Sequence, residues 1–131
     1  MVGSFRDRLG TIPVNELMEL VHKGSPKKEF FGKSMRLDSV NLIGFKQSGV
    51  RCEHCTIKGE YFALESDVIT GPNLYVFNLY AVKDGKERML LRVRKDPHGC
   101  MCAHNMEVIC LDCWKVKKQH DQEELEAHNA K

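Results

Sequence analysis

Two pairs of cysteines constrain this chain more than any other feature of its sequence. Two residues separate the cysteines within each pair, Cys52 from Cys55 and Cys110 from Cys113. Thiolates at this spacing can chelate a zinc ion from a tight turn, and two such pairs complete a tetrahedral four-thiolate site. The 54 residues between Cys55 and Cys110 exceed the spacing of a compact zinc finger. The sequence therefore predicts a closed, structural zinc site that ties together the two ends of an inserted hairpin.

A second group of potential ligands lies between the two pairs. It comprises His98, Cys100, Cys102 and His104, all within seven residues. A loop this short does not guarantee that alternating side chains converge, so incidental His and Cys residues are favoured over a second metal site. This group could also compete with one cysteine pair for the zinc ion, which leaves the ligand set open. A thioredoxin-like redox motif is disfavoured because no βαβ pattern surrounds either pair.

The length and composition fit one ordinary domain of an intracellular protein. The chain has 131 residues, of which 42% are hydrophobic, enough for a folded core. No run of about 18 apolar residues is present, so a membrane-spanning helix is excluded, and the charged N-terminus is unlike a secretory signal. We therefore expect a cytoplasmic protein without membrane contact, whose cysteines bind metal or stay as free thiols rather than form disulfides.

Helical and strand patterns alternate along the chain, which predicts an α+β fold. Residues 13–23 favour a helix, and residues 27–36 favour another short helix or a loop. Three strands are predicted, at 61–65, 74–82 and 87–94. The Asp84-Gly85 dipeptide predicts a tight hairpin turn between the last two of them. Asn105 should cap a helical turn or begin a short connection, and residues 111–120 favour a basic helix.

The order of these features resembles that of zinc-containing HNH endonucleases, especially small phage-borne ones. A cysteine pair is followed by a hairpin, a loop with an asparagine, a second cysteine pair and a basic helix. Asn105–Cys110 resembles the Asn-Leu-x-x-Leu-Cys segment of that family, and Pro97 lies where the family often has a proline. The resemblance implies an HNH-like ββα-metal frame over residues 50–120. An N-terminal helical extension over 1–49 and an acidic tail over 121–131 would flank it.

The resemblance also implies that the catalytic motif is degenerate. The register given by Pro97, Asn105 and Cys110 places Val93 and Arg94 where the family carries an Asp-His pair. Arginine cannot accept a proton at neutral pH, and valine cannot ligate a metal. Only Asn105 then remains of the catalytic constellation, so loss of nuclease activity is expected.

An active endonuclease remains the alternative interpretation. It would use a displaced histidine, His98 or His104, beside Asn105, with Mg²⁺ or Mn²⁺ at the phosphate. The Asp96-Pro97-His98 segment would supply a shifted Asp/His pair, or His104 would enter the site from its position next to Asn105.

Basic side chains indicate what an inactive frame could bind. Residues 83–118 carry nine Lys or Arg and five Asp or Glu. The candidate contacts are Arg92, Arg94, Lys95, Lys115, Lys117 and Lys118. They predict a module that binds DNA or a nucleic-acid-handling protein, for example a phage regulator of a host enzyme acting in the host cytoplasm. Alternatively these cations form a solvated face, or Arg92 and Arg94 pair with the acidic residues Glu87, Asp96 and Glu107.

Overall fold

Seven strands and three α-helices make up the fold, which a computed structural model describes for residues 6–24, 26–69 and 71–129. In chain order they are β1 (Arg6–Pro13), α1 (Val14–His22), β2 (Lys27–Phe30), β3 (Lys33–Arg36), α2 (Val40–Gln47), β4 (Tyr61–Asp67), β5 (Tyr75–Lys83), β6 (Lys86–Arg94), β7 (Met106–Cys110) and α3 (Leu111–Asn129). Five strands form an antiparallel sheet in the order β1–β4–β5–β6–β7, and β2 and β3 form a separate hairpin. This mixed architecture confirms the predicted α+β class.

The hydrophobic core lies on one face of the five-stranded sheet. Side chains alternate between the two faces of a strand, and on this face Phe62 of β4 is fully buried. Phe45 of α2 packs against Phe62 with ring centroids 5.8 Å apart, and Phe30 of β2 meets Phe77 of β5 edge-on at 5.2 Å. Leu17 of α1 is buried in the same cluster. The first third of the chain thus shares its core with the central sheet.

The prediction of a helical N-terminal extension is wrong in two places. Residues 27–36, expected to be a short helix or a loop, form the β2–β3 hairpin. Its turn residues Phe31 and Gly32 both have positive φ, at 51° and 81°, as two-residue hairpin turns of type I′ require. Phenylalanine rarely adopts this conformation, so residue preferences do not reveal the turn. The predicted extension over residues 1–49 also contains β1, which forms one edge of the main sheet.

The second half of the chain follows the prediction more closely. The strands β4, β5 and β6 coincide with the predicted ones to within two residues at each end. Asp84 and Gly85 have φ values of 54° and 74° and form the expected tight turn. The segment after Asn105 is instead a strand, β7, which pairs with β6. The helix α3 extends past the predicted end at residue 120 to Asn129.

The opposite face of the sheet carries a buried polar network centred on Glu65. Only 3% of this residue is exposed. Its carboxylate accepts hydrogen bonds from Arg8 Nε at 3.0 Å, Asn78 Nδ2 at 2.9 Å and the Tyr80 hydroxyl at 2.6 Å. Arg8 also pairs with Glu87 of β6 at 2.8 Å. The network therefore ties β1 to the three central strands.

The three α-helices are short or polar by the standard of a membrane-spanning segment. Within residues 6–24, 26–69 and 71–129, none is both long enough and apolar enough to cross a membrane. The longest, α3, has 19 residues and carries many charged side chains.

Candidate metal centre

Four cysteine sulfurs converge where the first cysteine pair meets the junction of β7 and α3. The sulfurs of Cys52, Cys55, Cys110 and Cys113 all lie within 4.8 Å of one another, and those of Cys55 and Cys110 are 3.7 Å apart. Zinc–sulfur bonds of about 2.3 Å in a tetrahedron place the sulfurs about 3.8 Å apart. The four predicted ligands are therefore placed to hold one metal ion such as zinc.

A tight turn presents the two sulfurs of the first pair. The backbone N–H of Cys52 donates to the carbonyl of Ile57, and the carbonyl of Cys52 accepts from the N–H of Thr56, both at 2.9 Å. The N–H of Cys55 points back to the sulfur of Cys52 at 3.3 Å. An N–H aimed at sulfur favours the thiolate that a metal requires. The backbone of this turn thus positions the two sulfurs and favours the thiolate form of Cys52.

The second pair spans a change of secondary structure. Cys110 is the last residue of β7, and Cys113 lies in the first turn of α3. Cys110 is buried, whereas Cys113 is half-buried. The positive end of the helix dipole lies at the N-terminus of α3, where it favours negatively charged sulfur. The strand-to-helix junction therefore supplies both position and electrostatic support.

Three hydrogen bonds join the segments that carry the two cysteine pairs. The N–H of Glu53 donates to the Val108 carbonyl at 2.8 Å, and the N–H of Val108 donates to Glu53 Oε2 at 2.6 Å. His54 Nε2 lies 2.8 Å from Glu107 Oε1. Glu53 and His54 are the two residues between the first pair of cysteines. Nothing in a C-x-x-C pattern indicates what its middle residues contact, so these roles cannot be predicted from the sequence.

The thiols of the cluster differ in acidity. Burial alone would raise the pKa of Cys52, but the backbone N–H groups of Cys55, Cys110 and His54 lower it to about 6. Burial and then the neighbouring sulfurs, that of Cys110 first, raise the pKa of Cys113. Several thiolates this close repel one another, and a bound divalent cation removes that repulsion. The electrostatics of the cluster therefore favour a metal ion.

The remaining two cysteines, Cys100 and Cys102, lie outside this cluster. They form a disulfide with each other, which contradicts the expectation that every cysteine is a metal ligand or a free thiol. The four cysteines of the two pairs are free. The ligand set left open by the sequence is therefore the two C-x-x-C pairs together.

The loop between β6 and β7 is held by Asn105, which is buried. Its Nδ2 donates to the carbonyls of Asp96 at 3.1 Å and Cys100 at 2.6 Å, and its Oδ1 accepts from the N–H of Asp96 at 3.1 Å. Gly99 lies so close that an added Cβ would be 2.7 Å from Asn105 Nδ2. Asn105 is therefore a positioning residue for the loop.

We expect Asn105→Ala to lower the free energy of unfolding by about 2–4 kcal/mol, because three backbone groups lose their partner. Urea unfolding followed by circular dichroism measures this loss. Asn41→Ala is the matched control, since Asn41 is exposed on α2. Equal effects of the two substitutions would contradict the role given to Asn105.

The two histidines of the nuclease alternative lie exposed on the same loop. The N–H of His98 donates to Asp96 Oδ1 at 2.9 Å, so that carboxylate is engaged in the turn. His104 Nε2 lies 3.7 Å from the sulfur of Cys100. Among the contacts of the described residues, neither imidazole meets the side-chain amide of Asn105. Nuclease activity through His98 or His104 stays a prediction.

The end of β6 and the first turns of α3 line an open groove with a volume of about 410 Å³. Four of the six predicted contact residues line it together with a tryptophan, namely Arg92, Arg94, Lys117, Lys118 and Trp114. The ammonium of Lys118 lies 5.0 Å from the centre of the Trp114 ring. Lys117 donates to the carbonyl of Lys95 at 2.7 Å. The described lining of the groove does not include Lys95 or Lys115.

The acidic residues considered as partners of Arg92 and Arg94 are engaged elsewhere. Glu87 and Glu107 each bind another basic side chain, and Asp96 accepts from backbone. In the described part of the chain, no carboxylate lies within salt-bridge distance of Arg92 or Arg94. Arg94 Nη1 donates to the carbonyl of Gly99 at 3.3 Å, a contact that leaves the positive charge of the guanidinium without a neutralising carboxylate among the described residues.

Comparison with protein families, with curated proteins and with solved structures found no match. The resemblance to HNH endonucleases therefore rests on the residues quoted from the sequence. The structure itself establishes a mixed α+β fold with four cysteines placed to hold a metal ion.

Proposed function

We propose that this chain is a zinc-stabilised module that binds DNA without cutting it. Zinc at the four-cysteine cluster has four protein ligands and no open position, so its role is structural. The ion joins the first cysteine turn to the junction of β7 and α3. By fixing the start of α3, it also fixes the basic side chains of that helix beside β6.

The proposal rests on the groove between the end of β6 and α3. Its cations come from two elements, because Arg92 and Arg94 lie on the strand and Lys117 and Lys118 on the helix. Two basic walls can contact phosphates on both sides of a bound backbone. Arginine binds phosphate oxygens through paired N–H donors, and Trp114 adds an aromatic surface. A cationic groove whose arginines have no carboxylate partner among the described residues suits a phosphate backbone.

Cleavage is not part of the proposal. Arg94 cannot act as a base, and Val93, beside it, cannot ligate a metal. The side-chain amide of Asn105 is occupied by three hydrogen bonds to the loop backbone. These three residues support a binding role for the frame.

We expect the zinc-loaded protein to bind duplex DNA with an affinity that falls steeply as salt rises. If all four groove cations meet phosphates, the slope of log K against log salt should be about −3.6, at roughly −0.9 for each contact. Arg94→Ala and Lys118→Ala should each weaken binding and reduce the size of this slope by about one. Fluorescence anisotropy of a labelled duplex across a salt series measures both quantities.

Lys28→Ala is the matched control, because Lys28 is exposed on β2 and does not line the groove. Affinity independent of salt, or an equal loss in the control, would contradict the proposal. If the protein instead nicked plasmid DNA with Mg²⁺ or Mn²⁺ and lost this activity in His98→Ala or His104→Ala, that result would favour the active endonuclease over the DNA-binding module. No binding to DNA even at low salt would favour a protein partner, such as a nucleic-acid-handling enzyme.

A further inference from the structure

We propose that Cys100, Cys102 and His104 form a second metal site when the two thiols are reduced. The ligand atoms of these three residues lie within 4.8 Å of one another, and His104 Nε2 is 3.7 Å from the sulfur of Cys100. All three side chains are exposed. Two thiolates and an imidazole suit a borderline or soft ion such as Zn²⁺.

The disulfide holds the sulfurs of Cys100 and Cys102 together, and hydrogen bonds of the loop backbone hold the rest of this arrangement. Asn105 Nδ2 binds the carbonyl of Cys100 at 2.6 Å. The N–H of Asn105 donates to the carbonyl of Cys102 at 2.8 Å, which closes a 3-10 turn over Ala103–Asn105 and directs His104 towards Cys100. A short loop of alternating residues need not converge, but this loop is folded by a buried asparagine outside the ligand set. The loop backbone therefore places His104, which is not part of the disulfide, beside Cys100.

A further contact favours thiolate at this site. The N–H of Cys102 donates to the sulfur of Cys100 at 3.3 Å. A donor directed at sulfur stabilises its charged form, which is the form that binds metal. The same feature occurs in the first cysteine turn of the four-cysteine cluster, where the N–H of Cys55 meets the sulfur of Cys52.

The oxidation state of the two sulfurs decides whether this site exists. In the structure, Cys100 and Cys102 are joined as a disulfide, and sulfurs in a disulfide are not thiolate ligands. Reduction by a phosphine transfers two electrons to this pair. Water supplies the two protons that give two thiols, and its oxygen passes to the phosphine, which becomes a phosphine oxide. The disulfide and the metal site therefore exclude each other.

The second site differs from the four-cysteine cluster in being open. Three protein ligands leave one position of a tetrahedral ion for water or another small ligand. Its ligands are exposed, whereas Cys52 and Cys110 of the cluster are buried. The ion at the second site should therefore be the first that a chelator removes.

Native mass spectrometry of the full chain with added Zn²⁺ tests the proposal. After reduction with a phosphine in the absence of oxygen, the chain should carry two zinc ions, and after oxidation one. Cys100→Ser and His104→Ala should each reduce the count in the reduced chain from two to one. His98→Ala is the matched control, because His98 lies on the same loop outside the cluster, and it should retain two ions.

One zinc ion in the reduced wild-type chain would overturn the proposal. Two ions in the oxidised chain, or in reduced His104→Ala, would also overturn it. Because the substituted side chains are exposed, circular dichroism spectra should be unchanged, and unchanged spectra attribute any lost ion to the lost ligand. The outcome is independent of DNA binding, since the test measures metal content alone.

Discussion

Cys110→Ser should lower the free energy of unfolding by at least about 5 kcal/mol, enough to unfold much of the chain. Structural zinc contributes about 10–16 kcal/mol in small zinc domains, whereas a whole domain is stable by only about 5–15 kcal/mol. Cys110 is buried at the end of β7, so no other side chain can easily replace its sulfur. Removing zinc with a chelator should have the same effect, and acid should act in the same direction because protons compete for thiolates.

Thermal unfolding by circular dichroism, combined with zinc analysis, measures this effect. Met101→Ser is the matched control, because Met101 is an exposed sulfur-containing residue outside both groups of metal-ligating side chains. In the reduced chain it should leave the melting temperature within a few degrees of the wild-type value. If the Cys110→Ser variant and the wild type had the same melting temperature, and a chelator changed neither, no structural metal would be bound at the four-cysteine cluster.

Glu65→Ala should lower the free energy of unfolding by about 3–5 kcal/mol, which is the range for removing one partner from a buried charged network. The substitution leaves Arg8, Asn78 and Tyr80 without their shared acceptor. Burial and then Glu65 raise the pKa of Tyr80 to about 12, so its hydroxyl keeps its proton and depends on that carboxylate. Since the network ties β1 to the sheet, we expect this edge strand to lose protection in hydrogen exchange.

Glu87→Ala provides the comparison for Glu65→Ala, because both carboxylates bind Arg8. The side chain of Glu87 is 42% exposed, whereas that of Glu65 is 4% exposed. An exposed ion pair contributes about 0–1 kcal/mol to stability. The free energies of unfolding of the two variants, measured in urea, should therefore differ clearly. An equal or smaller loss of unfolding free energy in Glu65→Ala than in Glu87→Ala would contradict the role of the buried network in holding β1 on the sheet.

The features predicted correctly are those that short-range chemistry imposes. Chelation requires two cysteines a turn apart, so the sequence predicts that the sulfurs of Cys52 and Cys55 lie together, as the structure places them. The Asp84-Gly85 dipeptide favours positive φ at both positions, so the β5–β6 hairpin was identifiable too. In both cases the signal lies within a few neighbouring residues.

The features missed depend on contacts between distant segments. The Phe31-Gly32 turn brings the Phe31 ring against Gly10, where an added Cβ would clash with it, so the turn depends on β1. Glu53 binds the backbone of Val108, which is 55 positions away. No local pattern marks such a residue. The family resemblance marks Asn105, but its role in the loop follows only from its hydrogen bonds.

The separation of the two cysteine pairs has a consequence for the order of folding events. Between them the chain runs through β4, β5 and β6, so the four sulfurs meet only after a long segment has closed on itself, at an entropic cost. An ion bound early by one cysteine pair can gain the other two ligands only after the sheet has formed. We therefore expect a bound ion to change the rate of folding little and to lengthen the lifetime of the folded state, as an interaction completed after the transition state does.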